Sequence, residues 1–488
     1  MSKAFDFTPK AVPAVRTRFR RITTPIPAPD SLEILETVAS RGIFTGAPDA
    51  PGPEVPMIAI ERSALAWVER HRGDVVALLQ RLVAIPSIVG AEGACQTLVA
   101  QLMGDCCDAV DAWEPDQAWL DRHPAYFHAG TAFAGRPNVV GTLRGHGGGR
   151  SLILNAHVDV VDPGPFEAWT HGPWSGALVD GKLYGRGAVD DKAGLAVMLL
   201  VARCVRELGV SLGGDLILES VVDEEWGGGG TLATLHRGYR ADAAVVFEPS
   251  DLDLCPASRG GQAFRVTVHG KGAHPIRSYD GVSALEKAVP ILAALKQLEA
   301  DRQARLRTPL FARYPIFAPI VIGKIAADRI PSKVPETCVF EGLMGYAPAE
   351  TYQQARADLE RCVAQVAAHD SWLRTHPPAV EWLGLNKEGA ETPAEDPFVV
   401  TLQGAFGSTE GRPPVLAGFP AGCDLPYLRR HAGIPSLVFG PGDCTVAHGS
   451  NEHVPVEEVV AACRVLVVAV LRWCGWRQGD GSFSNRPV

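Results

Sequence analysis

Five short segments carry carboxylates and imidazoles where such groups do chemistry. SLILNAHVDVV sets His157 and Asp159 two residues apart at the end of an apolar run. On a strand they share one face. Imidazole is a ligand suited to zinc, and a ligating His commonly gives its other ring N–H to a carboxylate. LYGRGAVDDKAG places Asp190 and Asp191 between a Gly-rich loop and the apolar helix that follows. By itself that pair reads as an N-cap at Asp190 with an acidic first turn. LILESVVDEEWGGGG ends an apolar run in Asp223, Glu224 and Glu225. Three acids at a buried strand end need something cationic to neutralise them. AAVVFEPS delivers Glu248 at the end of another run, and VFGPGDCTVAHGSNEHVPV holds His448 in a loop after SLVFG.

Taken singly, each segment has a plain structural reading: a surface pair, a helix cap, a solvated acidic turn, a loop histidine. Taken together they do not. Two His, one Asp and two Glu fall at the C-terminal ends of predicted strands, the edge of an open α/β sheet where ligands bind. Five such groups without a thiolate make a site for two borderline divalent ions. A pair of ions lowers the pKa of a water and polarises a carbonyl, and a carboxylate beside that water can move its proton.

The elements that must position these residues are legible as periodicity. IERSALAWVERHRGDVVALLQRLVAI has helical spacing up to Pro86. The runs NVVGTLRG, SLILNAHVDVV, DLILESVVDEE and AAVVFEP, with the helical LAVMLLVARCVREL among them, predict an α/β fold. Its largely parallel sheet is covered on both faces. QAFRVTVHGKGAHP alternates instead, as a half-exposed strand does, and opens a β-α-β-β-α order. That order predicts an inserted α+β domain. The expected division is a Pro- and Arg-rich N-terminal extension (1–56), a catalytic domain (57–262 and 380–488) and the insert (263–379). The apolar stretch 459–476 contains Arg464 and Arg472 and reads as a buried terminal helix rather than a membrane span.

Composition narrows the function. A formal charge of −9 and a pI near 5.9 give no basic field for nucleic acid or an anionic membrane. The start MSKAFDFTPKAV lacks the apolar core of a secretory signal. Eleven cysteines scattered without CxxC spacing are expected to be reduced core residues, which places the protein in the cytoplasm.

HxD, GRGAVDDK, DEE, FEP and AHGSNE match in order and spacing the M20 metallopeptidase family. That family includes acetylornithine deacetylase, succinyl-diaminopimelate desuccinylase, aminoacylase and carboxypeptidase G. The resemblance runs from about residue 58 to 476. HGKGAHP resembles the opening of the family's lid and dimerisation domain, and IPSKVPETCVFEGLMGYAPAE looks most like the deacetylase branch. The resemblance implies that His157 and Glu248 hold one ion, Glu225 and His448 the other, and Asp190 both. A cis peptide would follow Asp190. Glu224 would be the general base, Asp159 would orient His157, and His274 would polarise the scissile carbonyl from the other subunit of a homodimer. Arg259, Asn451 and Asp424 would lie in the substrate region. The ions would be zinc, with cobalt or manganese as alternatives.

The implied activity is hydrolysis of an amide in a small substrate, an N-acyl amino acid or related N-acyl amine. A dipeptidase, a carboxypeptidase or a deaminase would use the same fold. Two departures bear on the substrate. Many family members carry an Arg shortly after the Asp of the GCD-like motif, where this chain has Leu425 and Pro426. The lid strand, too, has Gly345 in LMGYAP where others have Arg. Neither position supplies a bidentate clamp for a substrate carboxylate.

Overall fold

Two strands buried along all six residues show how the larger sheet is covered. In a strand successive side chains point to opposite faces, so unbroken burial requires packing on both. The computed structural model describes residues 57–127, 130–328 and 330–477 and the backbone of 483–484; the expected extension at 1–56 lies outside the described residues. The chain begins with helices α1 (Ala59–Arg70), α2 (Arg72–Val83) and α3 (Gly93–Cys106). The one helix expected up to Pro86 is therefore two. They are separated at His71, whose ring stacks on Trp67 at 3.9 Å.

There follow β1 (Ala109–Trp113), β2 (Asn138–Leu143), β3 (Leu152–His157), α4 (Lys192–Glu207), β4 (Leu216–Val221), α5 (Gly229–Arg237), β5 (Ala243–Val246) and β6 (Leu254–Ser258). The second part of the chain contributes β7 (Gly260–His269), α6 (Ala284–Arg305), β8 (Ile320–Ala326), β9 (Thr337–Tyr346), α7 (Tyr352–His369) and β10 (Ala379–Lys387). The last part adds β11 (Ala390–Glu391), α8 (Pro397–Glu410), β12 (Leu416–Phe419), β13 (Ser436–Val438) and α9 (Val456–Cys474).

The larger sheet runs β1-β2-β4-β3-β5-β13-β6-β11, with β12 also on β6. Its centre, β4-β3-β5-β13, is parallel, and the pairings outside it are antiparallel except that of β12 with β6, which is parallel. Helix α4 lies on β3 and β4, and α9 packs against α4, α8 and α1. The arginines that interrupt α9 are neutralised: Arg464 pairs with Glu410 and Glu69, and Arg472 with Glu61. Among the described residues no helix is long and apolar enough to cross a membrane. All eleven cysteines are free thiols.

The smaller sheet is antiparallel, in the order β8-β9-β7-β10. Alternate residues of β7 are buried, and Phe264, Val266 and Val268 meet Ile291 and Leu295 of α6 and Leu359 and Val363 of α7. This sheet takes in β10, which the expected boundary at 380 assigned to the larger domain. The reason is physical: AVEWLGLNK is an edge strand with few buried side chains, so it has no clear apolar face to read.

Candidate metal centre and active site

Four of the candidate ligand and base residues sit at or just past the ends of parallel strands. His157 closes β3, Glu224 and Glu225 lie just past β4, and Glu248 lies just past β5. His448 comes from the loop after β13, at a left-handed φ of 62°. Asp190 precedes α4. The helix cap here is Asp191, not Asp190: its carboxylate accepts the N–H of Gly194. Asp190 is thereby freed for the cluster. The Asp190–Asp191 peptide is cis, as the family resemblance implies.

The side chains converge on two groups. Ligand atoms of His157, Glu224 and Glu248 lie within 4.8 Å of one another, and so do those of Asp190, Glu225 and His448. Asp190 joins the groups: Oδ1 is 2.9 Å from His157 Nε2 and Oδ2 is 3.2 Å from His448 Nε2. Glu225 Oε2 is 3.0 Å from His448 Nε2, while Glu225 Oε1 is buried without a hydrogen-bond partner. An orphaned buried carboxylate oxygen at such a place fits a cation.

The electrostatics agree with that fit. Hydrogen bonds to Asp190 and Glu225 push the His448 imidazole up to about 10. Burial opposes a charge on His157, yet Asp190 holds it well above the usual histidine range. Burial drives Glu248 well above the ordinary carboxylate range, and repulsion from Asp190 and Glu224 adds to the rise. Protons on the two imidazoles would balance the neighbouring carboxylates of Asp190 and Glu225. Divalent ions would displace those protons, since ligating imidazole is neutral.

The three acids after β4 each find a cation, as their burial requires. Asp223 pairs with Arg136 at 3.2 Å, Glu224 with Lys387 at 2.7 Å, and Glu225 with His448. Burial raises Asp223 to about 6 despite Arg136, and Glu224 to about 7 despite Lys387. The glycines that follow allow close packing. Gly228 has φ +68° against the Tyr427 ring, and a Cβ on Gly230 would stand 2.2 Å from the Val222 carbonyl oxygen.

Asp159 supports this turn as much as it supports His157. Its carboxylate accepts the backbone N–H groups of Glu224 (3.2 Å) and Glu225 (3.0 Å). His157 Nδ1 meets the Asp159 backbone carbonyl at 2.9 Å, and the carboxylate stands 3.8 Å away. Asn451 accepts the Thr170 N–H at 2.6 Å. The Arg259 guanidinium is engaged by the carbonyls of Pro420 and Phe317. Asp424 is buried, with one oxygen on Lys387 at 3.1 Å and the other on Thr231 at 2.6 Å. His274 is exposed in the smaller domain and belongs to neither ligand group.

Four supporting residues escape the sequence reading: Lys387, Arg136, Arg186 and Glu452. Glu452 follows Asn451 in the AHGSNE motif, pairs with Arg186, and accepts the N–H groups of Val189 (3.0 Å) and Asp190 (3.2 Å). That motif was its one signal. Arg136 is 1% exposed and binds Glu92 through two hydrogen bonds of 2.7 and 2.6 Å besides Asp223. Arg136→Met is expected to lower the unfolding free energy by about 3–5 kcal/mol, because it strands two buried carboxylates. The loss should shrink on acidification, since protonation removes the stranded charge. The measurement is the urea midpoint at unchanged slope; a drop below about 1 kcal/mol would show that the pair is not a keystone of this turn.

Known proteins resemble this chain in sequence and in fold. The sequence profile of peptidase family M20/M25/M40 matches residues 153–472. The chain is 30% identical over 436 residues to N-formyl-4-amino-5-aminomethyl-2-methylpyrimidine deformylase of Bacillus subtilis, covering 83% of this chain and 96% of that one. It is 30% identical over 351 residues to acetylornithine deacetylase of Myxococcus xanthus, covering 70% and 85%. The crystal structure of aminopeptidase PepT from Bacillus cereus superposes with a TM-score of 0.63 at 21% identity, covering 82% of this chain and 98% of that one. The chain belongs to peptidase family M20/M25/M40.

Proposed function

We propose that this protein is a two-metal deacylase that hydrolyses the amide of a small N-acyl amine. The observation that carries the reading is the meeting of two ligand groups on Asp190, beside a carboxylate that Lys387 engages. His157 and Glu248 would hold one ion and Glu225 and His448 the other, with Asp190 on both; zinc suits these donors, as do cobalt and manganese. Two such ions lower the pKa of a water towards neutrality and polarise a substrate carbonyl. Glu224 takes the proton of the attacking water and passes it to the leaving nitrogen. Asp159 and Glu452 fix the backbones that carry Glu224, Glu225 and Asp190. The protein acts as a homodimer through the smaller domain, and His274 of the partner subunit donates to the carbonyl oxygen. Its eleven free thiols suit a reducing compartment, the cytoplasm.

The choice of deacylase over peptidase rests on two supports. The deformylase and the deacetylase are matched over most of their length. The positions expected to clamp a carboxylate hold Leu425, Pro426 and Gly345, and Arg259 is tied to backbone carbonyls. A chelator is expected to abolish activity, and Zn²⁺, Co²⁺ or Mn²⁺ to restore it. Activity is read with N-formyl and N-acetyl amines, N-acetyl amino acids and unblocked dipeptides. Release of amine from the acylated compounds supports the proposal. Faster cleavage of dipeptides would replace it with a dipeptidase, and ammonia without acid would point to a deaminase.

A further inference from the structure

Lys387 closes strand β10 of the smaller sheet, yet its ammonium is buried in the larger domain, 2.7 Å from Glu224 Oε1 and 3.1 Å from Asp424 Oδ1. The contact is built from several sides. Asp424 is fixed by Thr231, and Thr231 Oγ1 also accepts from Asn155 at 3.0 Å, two residues before His157. The ammonium stands 5.4 Å from the Tyr427 ring centroid, and Tyr427 donates to the Gly227 carbonyl, three residues past Glu224. Burying a lysine is costly unless its charge is matched, and here two carboxylates match it.

The consequence lies in what Glu224 is prevented from doing. Its carboxylate lies within reach of the same point as His157 and Glu248, so it could serve as a third ligand to that ion. A carboxylate spent as a ligand is a poor base. An ammonium hydrogen-bonded to Oε1 holds that oxygen and repels a divalent ion drawn towards it. We propose that Lys387 is a positioning residue for the general base: it keeps Glu224 out of the metal's ligand set and leaves the other oxygen for the proton. The proposal rests on the reading of Glu224 as the base.

Lys387→Met alone leaves two buried carboxylates face to face and can cost the fold. The test therefore uses Lys387→Met/Asp424→Asn, which removes one charge of each sign. The double variant is expected to fold and bind two ions per chain. Its kcat should fall about 10²-fold, the cost of misplacing a reacting group by about 1 Å, with KM changed less than about threefold. The visible spectrum of its cobalt form should change, reporting a new ligand. In a Glu224→Gln background the same pair of changes should lower kcat less than about twofold, because the group being positioned is gone. Recovery of more than about half of the wild-type kcat in the double variant would mean that Lys387 only balances Asp424, and the proposal falls. It falls too if the loss is as large in the Glu224→Gln background. Failure of the base reading shows separately, as an active Glu224→Gln enzyme.

Discussion

Glu224→Gln is expected to keep two ions per chain and to lose about 10²–10⁴ in kcat, the usual cost of removing a general base. The amide replaces the carboxylate with little change of volume, so the turn after β4 should survive. Its backbone N–H still reaches Asp159, and its side chain can still accept from Lys387. The ions should stay because His157, Glu248 and Asp190 remain around the first, and Asp190, Glu225 and His448 around the second. What disappears is the group that accepts a proton. Metal content by elemental analysis and single-turnover rates decide the matter together. A variant short of one ion would make Glu224 a ligand; one keeping more than about a tenth of the activity would not be missing its base.

The second large effect concerns two inactive proteins that become active on mixing. His274→Ala and Glu224→Ala are each expected to be nearly inactive. After subunit exchange the mixed dimer has one site with both Glu224 and His274 of the partner subunit, so about a quarter of the sites recover. The motive is architectural. His274 is exposed, follows β7, and stands apart from both ligand groups, all of which come from the larger domain. Its Nδ1 accepts the Ile276 N–H at 3.3 Å, which leaves the proton of the neutral ring on Nε2. A donor of that kind, aimed at a developing oxyanion, contributes about 3 kcal/mol. Mixing that restores nothing, while each variant still dimerises, would place the histidine in its own subunit's site or in none.

Which residues meet at the site was readable because each ends an apolar run or borders a glycine-rich turn. His157 and Glu248 are strand-end residues, and Asp190 opens the apolar helix α4. The counter-charges were not readable. Lys387 reaches Glu224 across 163 residues and Arg136 reaches Asp223 across 87, and neither stands in a motif. A cation placed by tertiary folding leaves no periodic trace. The cap was misread by one residue because Asp190 and Asp191 offer the same chemistry. Only the backbone decides which carboxylate faces the helix N–H and which faces the histidines. The boundary after β10 was missed for the opposite reason: an edge strand buries too little for its sequence to record a face.

The crossing between the two sheets has a bearing on how such a molecule could be altered as a whole. The chain leaves the larger sheet after Ser258 and returns at Ala390, and those two residues are paired neighbours; three residues on along each strand, Gly261 is paired with Lys387. Departure and return therefore lie side by side, about 5 Å apart, the spacing of adjacent strands. Joining them directly would close almost no loop, so the entropic obstacle to excising or exchanging the insert is small. The smaller domain is in this sense a cassette, whose exchange would not re-route the sheet that carries the candidate ligands. Lys387 sits at the seam of that cassette, so a graft that begins or ends one residue away decides whether the exchanged protein keeps the ammonium beside Glu224.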